Sequence, residues 1–233
     1  MKTIGFIGAY DKTDLIIYIA RVLTAMQKSV LIIDRTLLQK VRYIVPTIRQ
    51  EKSFVTTFED IDIAIGFSGY SQLKEYLNMP QHAVFNYDYI FIDIDSVQAL
   101  EQFDIKTADK IYFISGFDNF SLKKGIQIIS TFTEPLAMTK VFFSRGITKA
   151  ENAYFDNLVE DLKVQWNEMI IYFPFEQGDQ SVIMENQRME KIKFKRLTSL
   201  FKESLMYITQ DIIGENDESI LLKKVFKQLE KGV

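Results

Sequence analysis

Short apolar runs recur along most of the chain. Six of them, rich in Ile, Val, Phe and Tyr, are continuously apolar rather than alternating: 3–7, 30–34, 89–95, 110–115, 140–144 and 169–173. Such runs are typical of strands buried on both faces of a parallel sheet. Apolar residues at helical spacing occupy the intervals 14–28, 121–132 and 150–163. This alternation predicts an α/β fold with a doubly wound, mostly parallel sheet in a three-layer sandwich, complete by residue 173.

The two other regions of the chain differ from this pattern. Region 37–86 is irregular, with one predicted helix at 71–79, and the chain after residue 178 is predicted to be wholly helical. We find no internal repeat, low-complexity tract or linker. The prediction is therefore a single domain, 1–233, whose C-terminal region from about 178 to 233 is helical.

Composition excludes several kinds of chemistry. The 233 residues contain no cysteine and one histidine, and 47% are hydrophobic. Thiolate metal sites, disulfides and Ser-His-Asp catalysis are therefore not expected. The net charge of −3 gives no overall basic footprint for nucleic acid. The N-terminal residues lack a signal-peptide pattern and no apolar stretch reaches about 20 residues, so the expected location is cytoplasmic.

The first predicted strand-to-helix connection, GAYDKTDL at 8–15, carries the main candidate chemistry. In parallel sheets this connection is the usual phosphate site, where backbone N–H groups converge on an anion and a lysine and a hydroxyl assist. Lys12 and Thr13 supply that pair. The alternative is an ordinary turn in which Asp11 or Thr13 caps the following helix. The loop alone leaves both interpretations open.

The order of the later segments resembles the ParA/MinD family of P-loop ATPases. The segment from Ile7 to Asp14 resembles the family loop K-G-G-x-G-K-T-T. Residues 27–36 resemble the family's second strand, and residues 87–96 resemble its Walker B strand. Residues 140–146 resemble the strand beside the nucleotide base, and residues 170–187 resemble the segment that closes the base pocket. The resemblance implies nucleotide binding by Gly8, Ala9, Asp11, Lys12, Thr13, Asp34, Asp93, Arg145 and Pro174. It also implies a homodimer, with ATP and Mg²⁺ as ligands and Mg²⁺ held through the nucleotide by Thr13 and Asp93.

Several residues depart from the family pattern. Ile7 stands where the family has a lysine that reaches phosphates across the dimer, Asp11 replaces a glycine, and Thr36 replaces an aspartate that positions the attacking water. A carboxylate at contact distance from a phosphate would repel it by about 4 kcal/mol at an effective dielectric near 20. These departures predict impaired hydrolysis, with weak ATP binding or no cofactor at all.

The pattern of retained fold and eroded loop suggests a function. It resembles atypical family members such as TadZ and CpaE, which implies a pseudo-ATPase that acts as a localisation or assembly factor for a membrane-associated pilus, secretion or conjugation machine through protein–protein contacts. The alternative is an active ParA/MinD-type ATPase in plasmid or chromosome partition or other positioning. A third interpretation is an interaction module that merely shares a doubly wound sheet.

Two segments near the C-terminus have alternative interpretations. The final helix places Leu222, Val225, Phe226 and Leu229 on one face, which predicts either peripheral contact with the inner face of a membrane or docking on protein. The basic segment 190–202 is either a solvated helix face or a contact for nucleic-acid phosphates, a partner that the overall charge disfavours without excluding it.

Overall fold

Eight strands form one sheet between two layers of helices. The computed structural model describes residues 1–47, 51–174, 176–214 and 218–232. The strands are β1 (Lys2–Ile7), β2 (Val30–Arg35), β3 (Phe54–Phe58), β4 (Ile61–Ile65), β5 (Tyr89–Ile94), β6 (Lys110–Ser115), β7 (Leu136–Phe142) and β8 (Val164–Tyr172). The α-helices are α1 (Thr13–Ala25), α2 (Tyr70–Tyr76), α3 (Val97–Gln102), α4 (Asn119–Ile129), α5 (Lys149–Val159), α6 (Gln177–Arg188), α7 (Ser199–Ile213) and α8 (Glu218–Lys231). Short 3-10 helices span Lys40–Tyr43 and Ile105–Thr107.

The sheet order confirms the predicted fold class. The strands lie in the order β3-β4-β2-β5-β1-β6-β7-β8, and every neighbouring pair is parallel except β3 with β4. β1 is central, between β5 and β6. The carboxyl ends of β1, β2 and β5 therefore meet at one edge, which is where ligands bind in open parallel sheets.

Both faces of the sheet are covered. Side chains of α1, α6, α7 and α8 pack on one face, and those of α2, α3, α4 and α5 pack on the other. Side chains along β1 alternate between these layers, because successive residues of a strand point to opposite faces. Phe6 accordingly belongs to the first layer and Ile7 to the second.

The sequence did not predict the β3–β4 hairpin within region 37–86. Its two-residue connection, Glu59 and Asp60, has φ values of +50° and +65°. Turns of this left-handed kind are usually signalled by Asn-Gly or Asp-Gly, and this chain uses two acidic residues instead. Without that signal, two five-residue strands could not be recognised.

The C-terminal region is helical with one irregular interval. Residues 189–198 form no helix, so the prediction of a wholly helical region was wrong there, and residues 215–217 and 233 lie outside the described residues. Most of the basic segment 190–202 is therefore a connection rather than a helix face. It is anchored because Phe194 and Leu197 are buried, and because the buried carboxylate of Asp179 accepts hydrogen bonds from Thr198 N and Oγ1 at 2.7 and 2.8 Å.

The apolar face of α8 is covered within the chain. Leu222, Val225, Phe226 and Leu229 are buried in the layer formed with α1 and α7. This packing corrects the membrane-contact prediction for these four residues, since none is exposed for contact with lipid. The apolar face of α8 instead packs against other helices of the same chain, in agreement with the alternative interpretation of docking on protein. Among the described residues, no helix combines the length and apolarity needed to cross a bilayer.

We expect the Val225→Ala variant to lower the free energy of unfolding by about 2 kcal/mol, because two buried methyl groups are removed. The control is Ile220→Ala on the same helix, where the side chain is 79% exposed and the expected change is within about 0.5 kcal/mol. Equilibrium unfolding in urea measures both. Equal, negligible effects would mean that α8 does not dock as described.

Candidate functional site

The loop between β1 and α1 begins at a position that only glycine can occupy. Gly8 has a φ of +149°, and a Cβ there would lie 2.0 Å from the carbonyl oxygen of Ile114 on β6. Ile7, just before it, is still in β1 and its side chain is fully buried in the core. The position that the family resemblance assigns to a lysine is therefore a core position, not part of the phosphate loop.

Lys12 is buried at the N-terminus of α1 and holds the loop together. Its backbone carbonyl accepts the first helical hydrogen bond, from Ile16 N at 3.0 Å. Its Nζ donates to the Gly8 carbonyl oxygen at 2.8 Å and lies 2.7 Å from Asp93 Oδ1 on β5. A buried ammonium requires such partners, because its desolvation is otherwise very unfavourable. The loop thus wraps around one lysine that is paired with the carboxylate of a neighbouring strand.

Two buried carboxylates lie side by side behind this lysine. Asp34 and Asp93 are register partners on β2 and β5. Burial raises the pKa of Asp93 to about 7, an effect that Lys12 opposes and Asp34 reinforces. Burial also raises the pKa of Asp34, opposed mainly by hydrogen bonds from Thr36. Asp34 Oδ2 makes no hydrogen bond of normal geometry with the described residues.

Asp11 is less exposed to phosphate repulsion than the sequence indicated. Its Oδ1 accepts a hydrogen bond from Thr13 N at 3.2 Å, and Lys40 Nζ lies 2.6 Å from its Oδ2. The first contact is a turn closed by the Asp11 side chain just before Lys12, the N-cap of α1, and either interpretation accommodates it. The second contact balances the charge of Asp11, so the repulsion expected for an isolated carboxylate is an overestimate.

Thr36 connects the buried carboxylates to the segment that carries Lys40. Its Oγ1 donates to Asp34 Oδ1 at 2.6 Å and accepts from Gln39 N at 3.0 Å. Leu37 N donates to both carboxylate oxygens of Asp95, at 2.9 and 3.1 Å. Thr36 thus has a positioning role that its place in the family pattern did not suggest.

Two cavities adjoin at the loop. The first, about 410 Å³, is lined by Ala9, Tyr10, Asp11, Lys12, Thr13, Thr36, Leu38, Lys40, Tyr43, Asp93 and Asp95. The second, about 500 Å³, extends toward α6 and shares Ala9, Tyr10, Asp11 and Lys40 with the first. Tyr10 stands between them and stacks on Phe143 with ring centroids 4.5 Å apart. Both cavities are lined by charged and apolar side chains together, so jointly they could hold an anion joined to a planar apolar group.

The structure brings together most of the predicted site. Ala9, Asp11, Lys12, Thr13 and Asp93 line the first cavity, and Gly8 and Asp34 contact its lining residues. Two predicted residues lie elsewhere and line neither cavity. Arg145 is largely exposed and pairs with Glu176 at 2.5 Å, and Pro174 is buried. Segment order placed both of them, but it does not determine where their side chains lie.

Sequence reasoning missed Lys40, Tyr10 and Asp95 as site residues. Tyr10 lies inside the loop itself, and Asp95 follows Asp93 by two positions. Both could therefore have been predicted, because they are close in sequence to predicted site residues. Lys40 offered none, because it lies 29 residues from Asp11 in an irregular region.

Comparison with solved structures gives the fold. One chain of the MinC:MinD cell division protein complex of Aquifex aeolicus matches with a TM-score of 0.58 and 15% identity, over 93% of this chain and 97% of that one. A ParA family ATPase from Chlorobium tepidum TLS matches with a TM-score of 0.52 and 11% identity, over 98% and 97%. The chain has the MinD/ParA fold.

A third solved structure of this fold contains a nucleotide analogue. It is a putative plasmid partition protein from Borrelia burgdorferi B31 bound to AMPPNP, with a TM-score of 0.52 and 12% identity, covering 91% of this chain and 99% of that one. No protein-family model matches the sequence, and no curated protein sequence matches it. At these identities the likeness establishes the fold and leaves function to the site.

Proposed function

We propose that this chain binds a nucleotide weakly at the β1–α1 loop, hydrolyses it poorly or not at all, and acts as a localisation or assembly factor through protein–protein contacts. The observation that carries the proposal is the buried Lys12–Asp93 pair, with Nζ and Oδ1 2.7 Å apart beside a cavity of about 410 Å³. The pair keeps a cation at the phosphate position of a MinD/ParA fold.

The residues present fit a nucleotide and Mg²⁺. Gly8 supplies the close backbone turn, and the N-terminus of α1, a helix of 13 residues, faces the cavity through Lys12 and Thr13. Helix N-termini favour phosphate because their free N–H groups and dipole face it. Among the described residues no three carboxylates or histidines form a metal site by themselves, so Mg²⁺ would be shared between the nucleotide, the Thr13 hydroxyl and Asp93.

Weak hydrolysis is proposed because two positions that the resemblance assigns to charged residues of the reaction, one for the phosphates and one for the attacking water, hold uncharged residues. The Thr36 hydroxyl is engaged with Asp34, and Ile7 is committed to the core. Neither side chain can contribute a charge to a reacting phosphate, and charge stabilisation is the main source of catalysis in phosphoryl transfer.

An active ATPase in partition or another positioning task is the second candidate, and one residue favours it. Asp95 lines the same cavity, and burial raises the pKa of its carboxyl. A carboxylate with a raised pKa is a better proton acceptor for an attacking water. Asp95 could therefore take the role that Thr36 has lost.

Protein contacts are proposed from the rim of the site. Leu37, Leu38 and Tyr43 are exposed by 69%, 82% and 75% beside the first cavity. Apolar side chains grouped in this way favour an interface, which we assign to a homodimer or to a component of a membrane-associated pilus, secretion or conjugation machine. Sedimentation velocity with and without Mg-ATP tests the homodimer.

Calorimetric titration with Mg-ATP, together with single-turnover hydrolysis, tests the proposed function. We expect the wild type to bind, and the Lys12→Met/Asp93→Asn variant, which removes both buried charges together, to bind at least about tenfold more weakly. We also expect hydrolysis to be no faster in the wild type than in this variant. The Chlorobium tepidum ParA family ATPase serves as the reference enzyme. Turnover comparable with that enzyme would favour the second candidate, and no binding would overturn both.

A further inference from the structure

We propose that Lys40 is a second phosphate-binding cation of this site, supplied by the same chain, and that it pairs with both Asp11 and Asp14 until a phosphate group binds. The inference rests on the proposed nucleotide-binding function and adds a residue to it. Lys40 begins the 3-10 helix Lys40–Tyr43 that follows β2, and it lines both cavities.

The position of the Lys40 ammonium group is defined by two carboxylates. Nζ lies 2.6 Å from Asp11 Oδ2 and 3.0 Å from Asp14 Oδ2. The pKa of Lys40 is raised, because these two carboxylates outweigh its partial burial. The group is thus charged at neutral pH and stands over the loop that would cradle a phosphate.

The charges around the first cavity leave a role for this cation. Three carboxylates line the cavity, those of Asp11, Asp93 and Asp95, against the two ammonium groups of Lys12 and Lys40. Lys12 is buried and already committed to Asp93 and to the Gly8 carbonyl. Lys40 is closer to solvent, since its side chain is 37% exposed and that of its partner Asp11 is 53% exposed.

Lys40 can exchange a carboxylate partner for phosphate because its ammonium group lies near solvent. Ion pairs that reach solvent contribute little net stability, so exchanging the contact with Asp14 for one with phosphate costs little, while the contact with Asp11 continues to balance that carboxylate. A charge-assisted hydrogen bond to phosphate is stronger, particularly beside a helix N-terminus. An arriving phosphate group therefore competes well for this ammonium.

The backbone that carries Lys40 is fixed to the site. Gln39, directly before it, has a left-handed φ of +47° and donates its N–H to Thr36 Oγ1. Thr36 in turn is bonded to Asp34, and Leu37 is bonded to Asp95. Two anchors on strand-end carboxylates thus fix where the Lys40 side chain begins, while its flexible stem leaves the ammonium free to change partners.

Titration of the full chain with Mg-ATP and with inorganic triphosphate tests the inference. We expect Lys40→Ala to weaken binding of both ligands about tenfold, and Lys40→Arg to restore most of the affinity. The matched control is Lys110→Ala, which removes the same charge from a lysine that is 36% exposed and lies 2.6 Å from Asp211 at the amino end of β6. We expect that control to bind within twofold of the wild type.

A second background separates direct contact from charge neutralisation. The Asp11→Asn substitution keeps an acceptor for Thr13 N but removes the charge that Lys40 balances. If Lys40 contacts phosphate, Lys40→Ala also weakens binding about tenfold in the Asp11→Asn background. If the loss disappears in that background, Lys40 only screens Asp11 and the inference is overturned.

The remaining outcomes are also decisive. If Lys40→Ala binds the ligands more tightly than the wild type, Lys40 opposes ligand binding. If its affinity equals that of Lys110→Ala, Lys40 does not contribute to ligand binding. Both results overturn the inference while the proposed function stands. A wild type that binds neither Mg-ATP nor triphosphate overturns both.

Discussion

The Lys12→Met variant is expected to unfold with a free energy about 3 kcal/mol below that of the wild type. Removing the lysine leaves Asp93 buried beside Asp34 without a cation, and breaking a buried pair from one side typically costs 3–5 kcal/mol. We take the lower end of that range because the Asp93 carboxyl has a pKa of about 7 even with Lys12 present and becomes neutral more readily than an ordinary aspartate. Equilibrium unfolding in urea near pH 7.5 measures the change.

The double variant Lys12→Met/Asp93→Asn shows whether the cost comes from the unpaired charge. Removing both charges should restore about 2 kcal/mol relative to Lys12→Met, because replacing a whole buried pair is often close to neutral. The matched surface pair is Lys110 with Asp211, where Lys110→Ala should change stability by less than about 1 kcal/mol. A double variant no more stable than Lys12→Met would mean that the lost stability arises from packing or from the Gly8 contact instead.

The fold could be predicted because strands that are covered on both faces of the sheet appear in the sequence as continuous apolar runs. The runs that became β1, β2, β5 and β6 consist mainly of apolar residues, and the structure buries nearly all of their positions. The edge strand β8 was predicted too short, since the first residues of Val164–Tyr172 alternate in burial and three of its nine residues are polar. Continuous apolar runs identify central strands, but they do not define the ends of edge strands.

The site could be predicted only as far as strand order determines it. Asp34 and Asp93 lie at the ends of neighbouring parallel strands, and Asp93 pairs there with Lys12 of the β1–α1 loop. Strand order could not show that β1 continues through Ile7, nor that the Ile7 side chain is buried in the core. It also could not show a contact between Lys40 and Asp11, because neither hydrophobic periodicity nor a turn motif marks the irregular segment that carries Lys40.

Amphipathic patterns define a buried face without defining what buries it. Leu222 and Phe226 satisfy the pattern of a membrane-surface helix and equally that of a helix docked on α1 and α7. Apolar positions on α1 and α7 supply the docking surface, and the pattern of α8 alone contains no information about them. The sequence of one element therefore left the two interpretations open.

The stability of the protein is expected to fall as pH rises from about 5 to about 7, because of Asp93. Burial raises the pKa of Asp93 from 3.8 in the unfolded chain to about 7 in the folded one. Between those values the folded state holds a proton that the unfolded state has released. Stability falls with pH wherever the folded state binds more protons. At about 1.4 kcal/mol per pH unit, the loss from this group is about 2–3 kcal/mol over that interval.

The neighbours of Asp93 support this direction. Lys12 opposes the rise, while Asp34 and Asp95 reinforce it, and burial is the largest cause. The pKa of Asp34 is raised as well, so its contribution has the same sign. Carboxyl groups with lowered pKa, such as Asp88, have the opposite sign, but their effect falls below about pH 4 and therefore outside the interval.

Urea unfolding of the wild type and of Asp93→Asn at about pH 5, 6 and 7 isolates the contribution of Asp93. The difference in unfolding free energy between the two proteins should change by about 2 kcal/mol or more across this range, with the wild type losing stability toward pH 7. Asp88→Asn is the matched control, because its exposed carboxylate should leave the dependence unchanged over the same range. A wild type and an Asp93→Asn variant with parallel pH profiles would mean that Asp93 is ionised throughout. The buried pair would then be fully ionic at pH 5, with Lys12 already holding an anion at the proposed phosphate site.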